Sequence, residues 1–340
     1  MEMIYQPPPV DRLNAYLTER LTDVTDLKVT NVKRSWPGMS RETWFVTSTG
    51  IRDRRNIEQR HVFRMDPPGG GFGLTSLGFE ADVYTMLDQT DVPTQPMLWH
   101  EPAGNDWLDG REFFVRAWVD GEVNPPHLED PDPQYDSLRE RVVKELVERL
   151  AQIHALDWQA LGFDRFANYV PTGVEDAAKV ELDWHLEHAL QRAVEPYPAL
   201  IEAILTLREQ LPPPSARVVI RKENNGIGEE IWQGSTIVAM ADWETASLGA
   251  PELDLAVAAG TTFHFWDIQK AITYYEGITG FAVNMQALEF YGRIWSMRAI
   301  VGLQGGLRPF GAGADQRLQI PSLGLWAVGT QSLLAQAAGF

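Results

Sequence analysis

The period of the apolar residues changes about a third of the way along this chain, and that change limits what it can fold into. Before Gly121 the apolar residues fall in short, β-branched and aromatic runs: LKVTNVKR (27–34), ETWFVTS (42–48), RHVFRM (60–65) and EFFVRAWV (112–119). Turn signals such as Pro37-Gly38 and Thr49-Gly50 separate them, which predicts strands of an antiparallel sheet. Two stretches in this part are helical instead. Residues 11–22 place Leu13, Tyr16, Leu17 and Leu21 at helical spacing behind a capping Asp11, and residues 77–89 place Phe79, Val83, Met86 and Leu87 on one face. The Pro-rich, acidic stretch Gly121–Asp136 marks a boundary between residues 1–121 and 122–340.

Beyond that boundary the helical period dominates. Residues 139–156 turn Val142, Val143, Leu146, Leu150, Ile153 and Leu156 inward, and further helices are expected near 181–193, 198–210, 267–279 and 284–304. Two strand-like runs interrupt them, RVVI (217–220) and TIVAMA (236–241), and they bracket the polar loop KENNGIGEE (222–230). The expected class is therefore α+β. A small antiparallel-sheet lobe precedes a larger, mainly helical lobe with a buried hairpin, which is a bilobal, protein-kinase-like arrangement.

Composition narrows the functions. The 340 residues carry a formal net charge of −18, which repels phosphate backbones and argues against nucleic acid as a partner, though a local basic site can still hold a nucleotide. With no cysteine, disulfides, thiolate nucleophiles and Cys-based metal sites are excluded. No apolar run is long enough to predict a membrane-spanning helix. MEMIYQPPPVDRLNAYL lacks a basic segment followed by an apolar one, so no signal peptide is read and a cytoplasmic location is expected.

Several segments together carry a resemblance: SWPGMSRETWFV (35–46), HVFRMDPPGG (61–70), FEADVYTMLDQTDVPTQPMLW (79–99), FFVRAWVDGEV (113–123), LAQIHALDWQALGF (150–163) and DWETASLGAPELDLA (242–256). In this order and spacing they resemble the aminoglycoside phosphotransferase and choline kinase superfamily, in particular the branch fused to acyl-CoA dehydrogenases. The resemblance implies ATP and Mg²⁺ as cofactors and a small hydroxylated substrate. It makes Arg64 a phosphate contact, Glu80 the carboxylate that holds Arg64, Ser40 part of a phosphate-facing turn, and Asp242 a metal ligand. Read without it, Arg64 is a strand residue facing solvent and Asp242 a turn residue ending a strand. His154 is expected to be structural, and Asp254 to brace the loop through backbone hydrogen bonds.

The loop itself departs from the family pattern of His-Gly-Asp, four residues, then Asn. Lys222 falls on the His, Glu223 on the Gly, Asn224 on the Asp and Glu229 on the Asn, while Gly226 and Gly228 match turn glycines. Ala250 replaces an Asp that the family usually has. Asn224 cannot accept a proton at neutral pH, so general-base catalysis there is lost. Glu229 remains a ligand suited to a hard cation beside Asp242. Lys222 is free to pair with Glu223 or to approach a phosphate. A one-residue slip would instead make Glu223 the base and put Gly228 at the metal position.

Three functions therefore stay open: a kinase with an altered loop, a kinase-like protein that binds a ligand without transferring phosphate, and an ATP-independent acid/base enzyme. The last would draw on Glu223, Glu229, Glu230, Asp242 or Glu244. The overall charge favours a neutral or cationic substrate. Aromatic residues in FHFW (263–266) and EFYGRIWSMR (289–298) are candidates for a partly apolar substrate pocket.

Overall fold

The computed structural model describes residues 7–35, 38, 40–67, 70, 74–192, 197–313, 320–322, 324–326 and 329–330. Pro37 of the expected turn, and Pro68 and Gly69 of the Pro-Pro-Gly segment, lie outside them. The first part is an antiparallel sheet in the order β1 (Thr25–Arg34), β2 (Glu42–Arg52), β3 (Arg55–Met65), β5 (Phe113–Ala117), β4 (Met97–Glu101). Both faces are covered, so successive residues of a strand enter different cores. Phe113 and Val115 pack with Leu13, Tyr16 and Leu17 of helix α1 (Val10–Arg20). Phe114 joins Phe79, Val83 and Tyr84 of helix α2 (Leu77–Leu87), which starts at a Ser76 cap whose Oγ accepts the Phe79 N–H at 3.1 Å.

The expected turn at Thr49-Gly50 is instead the interior of β2. The hairpin turns at Asp53 and Arg54, with φ of 51° and 63°, between the paired residues Arg52 and Arg55. A two-residue loop with both φ positive matches the twist of its strands. Gly50 serves a different purpose, since a Cβ there would lie 2.4 Å from Val24 Cγ1 and 3.0 Å from the Thr25 carbonyl oxygen.

The second part is built on helices α3 (Asp136–His154), α4 (Ala177–Arg192), α5 (Pro198–Glu209), α6 (Glu252–Thr261), α7 (Ile268–Thr279) and α8 (Met285–Gly311). One apolar core runs from α2 through α3 to α7, and another joins α4, α5, α6 and α8. The sequence reading placed no helix at α6. Its buried residues Leu253, Leu255, Val257 and Ala258 do not keep to a single stripe, so no amphipathic period announces it. Among the described residues no helix is long and apolar enough to cross a membrane.

The expected single hairpin of 217–220 with 236–241 is replaced by two separate pairs. Strand β6 (Val219–Arg221) pairs with β9 (Ser247–Gly249), and β7 (Glu230–Gln233) pairs with β8 (Thr236–Met240). The polar look of GEEIWQG concealed β7. Trp232 is nevertheless buried, and Gly234, at φ 63°, turns the chain straight into β8. An isolated bridge from Glu122 to Trp232 ties this pair to the segment after β5.

Gly50→Ala is expected to lower the unfolding free energy by about 1–3 kcal/mol through this overpacking, read by urea denaturation. An unchanged midpoint would mean that the β1 crossing yields to a Cβ without cost.

Candidate functional site

Register along the sheet creates a cleft with two chemically different ends. On β3, Val62 and Arg64 are two residues apart and so share a face; across β2 they pair with Phe45 and Thr43. The facing wall comes from Ile231 of β7 and Ala241 just after β8. Together they enclose a cavity of about 500 Å³. Phe45, Val62, Val123, Ile231 and Ala241 make its surface apolar, whereas Ser40, Arg64, Asn224, Glu229, Asp242 and Glu244 make it polar.

Arg64 organises the polar end. Its guanidinium meets Glu80 at 3.3 Å, Asp242 at 3.0 Å, Glu244 at 2.9 Å and Thr43 Oγ1 at 2.9 Å. Burial opposes the charge, but Glu80, Asp242 and Glu244 outweigh it and hold the Arg64 pKa above its ordinary value. Glu80, in the first turn of α2, is fully buried.

A second arginine, which the sequence reading missed, shares that carboxylate. Arg41 Nη1 lies 2.9 Å from Glu80 and 3.1 Å from Glu244, its Nε lies 3.0 Å from Asp66, and its Nη2 donates to the Thr75 carbonyl at 2.6 Å. No local pattern in SRETW marks it, because its partners Glu80 and Glu244 are 39 and 203 residues away. Ser40 lines the cleft and donates to Glu244 at 2.9 Å.

The loop after β6 brings the remaining candidates into place. Fully buried Asp254 accepts the backbone N–H groups of Lys222 at 2.9 Å and Glu223 at 2.6 Å. Asp254 in turn meets His154 Nε2 at 3.0 Å, and His154 Nδ1 meets the Tyr275 hydroxyl at 2.7 Å. Gly226 has a φ of 107°, and a Cβ on it would lie 2.1 Å from Thr261 Oγ1. Asn224 donates its amide to Asp242 at 2.8 Å.

Glu223 and Lys222 go elsewhere than expected. Glu223 sits at φ 69°, a left-handed conformation that favours glycine, and this turns its side chain away from the cleft. It is fully buried and pairs with Arg298, Arg221 and Ser247. A carboxylate consumed in this way is not a base for a substrate in the cleft, so the slipped register does not describe the loop. Lys222 pairs with Glu230 at 3.2 Å, not with Glu223. The aromatic candidates are also displaced. Phe263, Phe290 and Tyr291 are core residues, and Trp266 lines an open groove with Lys144 and Tyr274 instead of the cleft.

Crowded carboxylates set the electrostatics. Burial and the nearby Asp242 push Glu229 up to about 8. Burial and Asp242 push Glu244 up to about 7, and burial alone accounts for most of the rise of Glu230 to about 7. Asp242 is also penalised by burial, but Arg64 and Lys222 bring it below its ordinary value. Asp242 and Glu229 thus form an ionised carboxylate beside a protonated one. Two hard oxygen ligands in the cleft, sharing a proton that a cation would displace, fit Mg²⁺, which uses one or two carboxylates and takes its other oxygens from phosphates and water. Among the described residues no group of three or more His, Asp or Glu side chains is placed to hold a metal ion.

Residues 31–291 match the phosphotransferase enzyme family. Acyl-CoA dehydrogenase family member 11 of Rattus norvegicus is 25% identical over 264 residues, covering 75% of this chain but 31% of that protein. The Gallus gallus protein of the same name is 26% identical over 241 residues, covering 69% and 28%. The chain therefore spans about a third of the length of these curated relatives. Among solved structures, a Ralstonia eutropha protein assigned as an aminoglycoside phosphotransferase superposes with a TM-score of 0.67 at 19% identity, covering 97% of this chain and 98% of that one. Aminoglycoside phosphotransferase APH(4)-Ia, in a ternary complex with AMP-PNP and hygromycin B, gives 0.56 at 14% identity, covering 96% and 99%. Macrolide 2'-phosphotransferase MphH from Brachybacterium faecium gives 0.56 at 14%, covering 95% and 97%. A five-stranded antiparallel sheet backed by helices, with a profile match across most of the chain, places this protein in the phosphotransferase enzyme family.

Proposed function

We propose that this chain binds ATP with a divalent metal and transfers the terminal phosphoryl group to a hydroxyl of a small neutral or cationic molecule. The observation that carries this reading is Arg64. Clamped by buried Glu80 and paired with Asp242 at 3.0 Å, it puts a fixed positive charge in the cleft that Asp242 and Glu229 also line, where phosphates and their metal would lie. The apolar surface of Phe45, Val62 and Ile231 suits a nucleobase. The solved complex of APH(4)-Ia with AMP-PNP supports a nucleotide in this fold. Asp242 and Glu229 would hold Mg²⁺, which when bound supplies positive charge to the phosphates.

What the chain's own residues do follows from their placement. Arg64 neutralises phosphate oxygens from a position that Glu80 and Thr43 fix, giving up Nη2 contacts to Asp242 and Glu244 as the ligand enters. Asn224 orients Asp242 through its amide and takes no proton. The substrate oxygen bonds to the terminal phosphorus, the bond to the bridging oxygen of the departing diphosphate breaks, and the hydroxyl proton passes to water. Loss of a general base costs about 10²–10⁴-fold, so the reaction is expected to be slow and governed by positioning. An acid/base reading without ATP has one observation in its favour: Glu229 holds a proton near neutral pH beside ionised Asp242.

Titrating ATP into the protein by calorimetry, with and without Mg²⁺, is expected to give metal-dependent binding that Asp242→Ala abolishes. No binding at millimolar ATP would overturn the kinase reading and leave the acid/base one. Binding without transfer to any alcohol would reduce the function to ligand recognition.

The protonation of Glu229 has its own consequence. Its pKa is higher in the folded chain than in the unfolded one, so the folded state binds more protons between about 4.5 and 8, and stability falls as pH rises through that window. His61 and His185, lowered to about 4 by burial, act in the opposite sense only below about pH 6.5. Glu230 and Glu244, raised to about 7, act in the same sense, so from pH 6.5 to 8 the metal-free protein should lose about 2 kcal/mol, roughly half of it from Glu229. Glu229→Gln should flatten this slope in thermal melts. A slope unchanged by that substitution would show that Glu229 is already ionised at neutral pH.

A further inference from the structure

Glu244 is held as a bound anion would be. Its Oε2 receives Ser40 Oγ at 2.9 Å, Arg64 Nη2 at 2.9 Å and Arg41 Nη1 at 3.1 Å. The two arginines come from separate segments, Arg41 just before β2 and Arg64 on β3, and each keeps other acceptors besides Glu244. Arg41 is held by Asp66, Glu80 and the Thr75 carbonyl, and Arg64 by Glu80 and Thr43. Three donors converging on one oxygen form a preorganised oxyanion site.

The acceptor that fills the site is ill suited to it. Glu244 shares its surroundings with Glu80, which binds both arginines, and Asp242, which binds Arg64. It also lines the cleft, beside the space that a ligand would enter. It lies between β8 and β9 in a segment outside any regular element, and its backbone oxygen accepts from Thr75. Displacing the side chain into the cleft that it lines would leave this backbone contact in place.

We infer that Ser40, Arg41 and Arg64 form the binding site for one phosphate group of a polyphosphate, and that the Glu244 carboxylate occupies it until the ligand displaces it. The ligand class follows from the donors. A hydroxyl and two guanidinium groups match the several oxygens of a phosphate better than the single contacting oxygen of a carboxylate. Because the ligand is a polyphosphate, this rests on the nucleotide reading above. It adds Arg41 as a contact residue and makes Glu244 an internal competitor. An internal competitor lowers apparent affinity by the fraction of molecules in which the site is open.

The test is calorimetric titration of inorganic pyrophosphate and of ADP, both without metal, into the wild-type chain and Glu244→Gln. The neutral amide keeps the shape but gives up the charge that holds it on the arginines. Glu244→Gln is expected to bind pyrophosphate about tenfold more tightly than wild type, and Arg41→Met to bind it more weakly than wild type. If Glu244→Gln is poorly folded in thermal melts, Glu244→Asp carries the same expectation, since one methylene fewer cannot span both arginines. Binding by wild type that neither acidic-site variant strengthens would overturn the role of Glu244 and leave the nucleotide reading standing. No binding of pyrophosphate or ADP by any of these proteins, together with no binding of ATP and Mg²⁺, would overturn both.

Discussion

The buried carboxylate of Glu80 is the contact on which the rest of the site depends. It has no exposed surface, and it receives both Arg41 and Arg64. Left unpaired at that depth, its charge would cost several kcal/mol, whereas Arg41 keeps Asp66 and Glu244 and Arg64 keeps Asp242 and Glu244. Because Glu80 belongs to α2, Arg64 to β3, and Asp242 and Glu244 to the segment after β8, one carboxylate fixes the distance between a helix, a sheet and a loop. Arg64 extends the connection across the cleft, so the sheet and the helical part share an electrostatic joint as well as an apolar core.

Much of the architecture was legible because it is written in local periods. Strands β1, β2, β3, β5, β6 and β8, with α1, α2, α3 and the later amphipathic helices, follow from alternation or 3.6-residue spacing, whereas β4 and β9 are too short to show a period. The features that were not legible are those that depend on distant partners. α6 is apolar on more than one side, so its period is blurred. β7 looks like the end of a charged loop, and only its pairing with β8 and the burial of Trp232 make it a strand. Gly50 reads as a turn, but the glycine is there because another segment crosses it.

The site was legible in its positions and less so in its directions. Arg64, Glu80, Asn224, Glu229 and Asp242 come together within one cleft or beside it. Lys222 and Glu223 are adjacent in sequence yet serve opposite sides of the loop, because a positive φ at Glu223 reverses the course of the chain between them. Backbone handedness of this kind leaves no trace in composition. Arg41 illustrates the complementary difficulty: a buried arginine is intelligible only once its far-off acceptors are known.

The path of the loop is held from outside it. Asp254, Thr261 and Thr262, all on or next to α6, receive or supply hydrogen bonds to residues 222–227, and Val123 accepts from Gly228. The two strands that lead in and out belong to different sheets, each anchored separately. Shape and chemistry are thereby encoded at different addresses in the chain. The polar residues of such a loop can be exchanged over generations while its backbone stays where it was, and a fold arranged this way can try new reactions without first losing its old form.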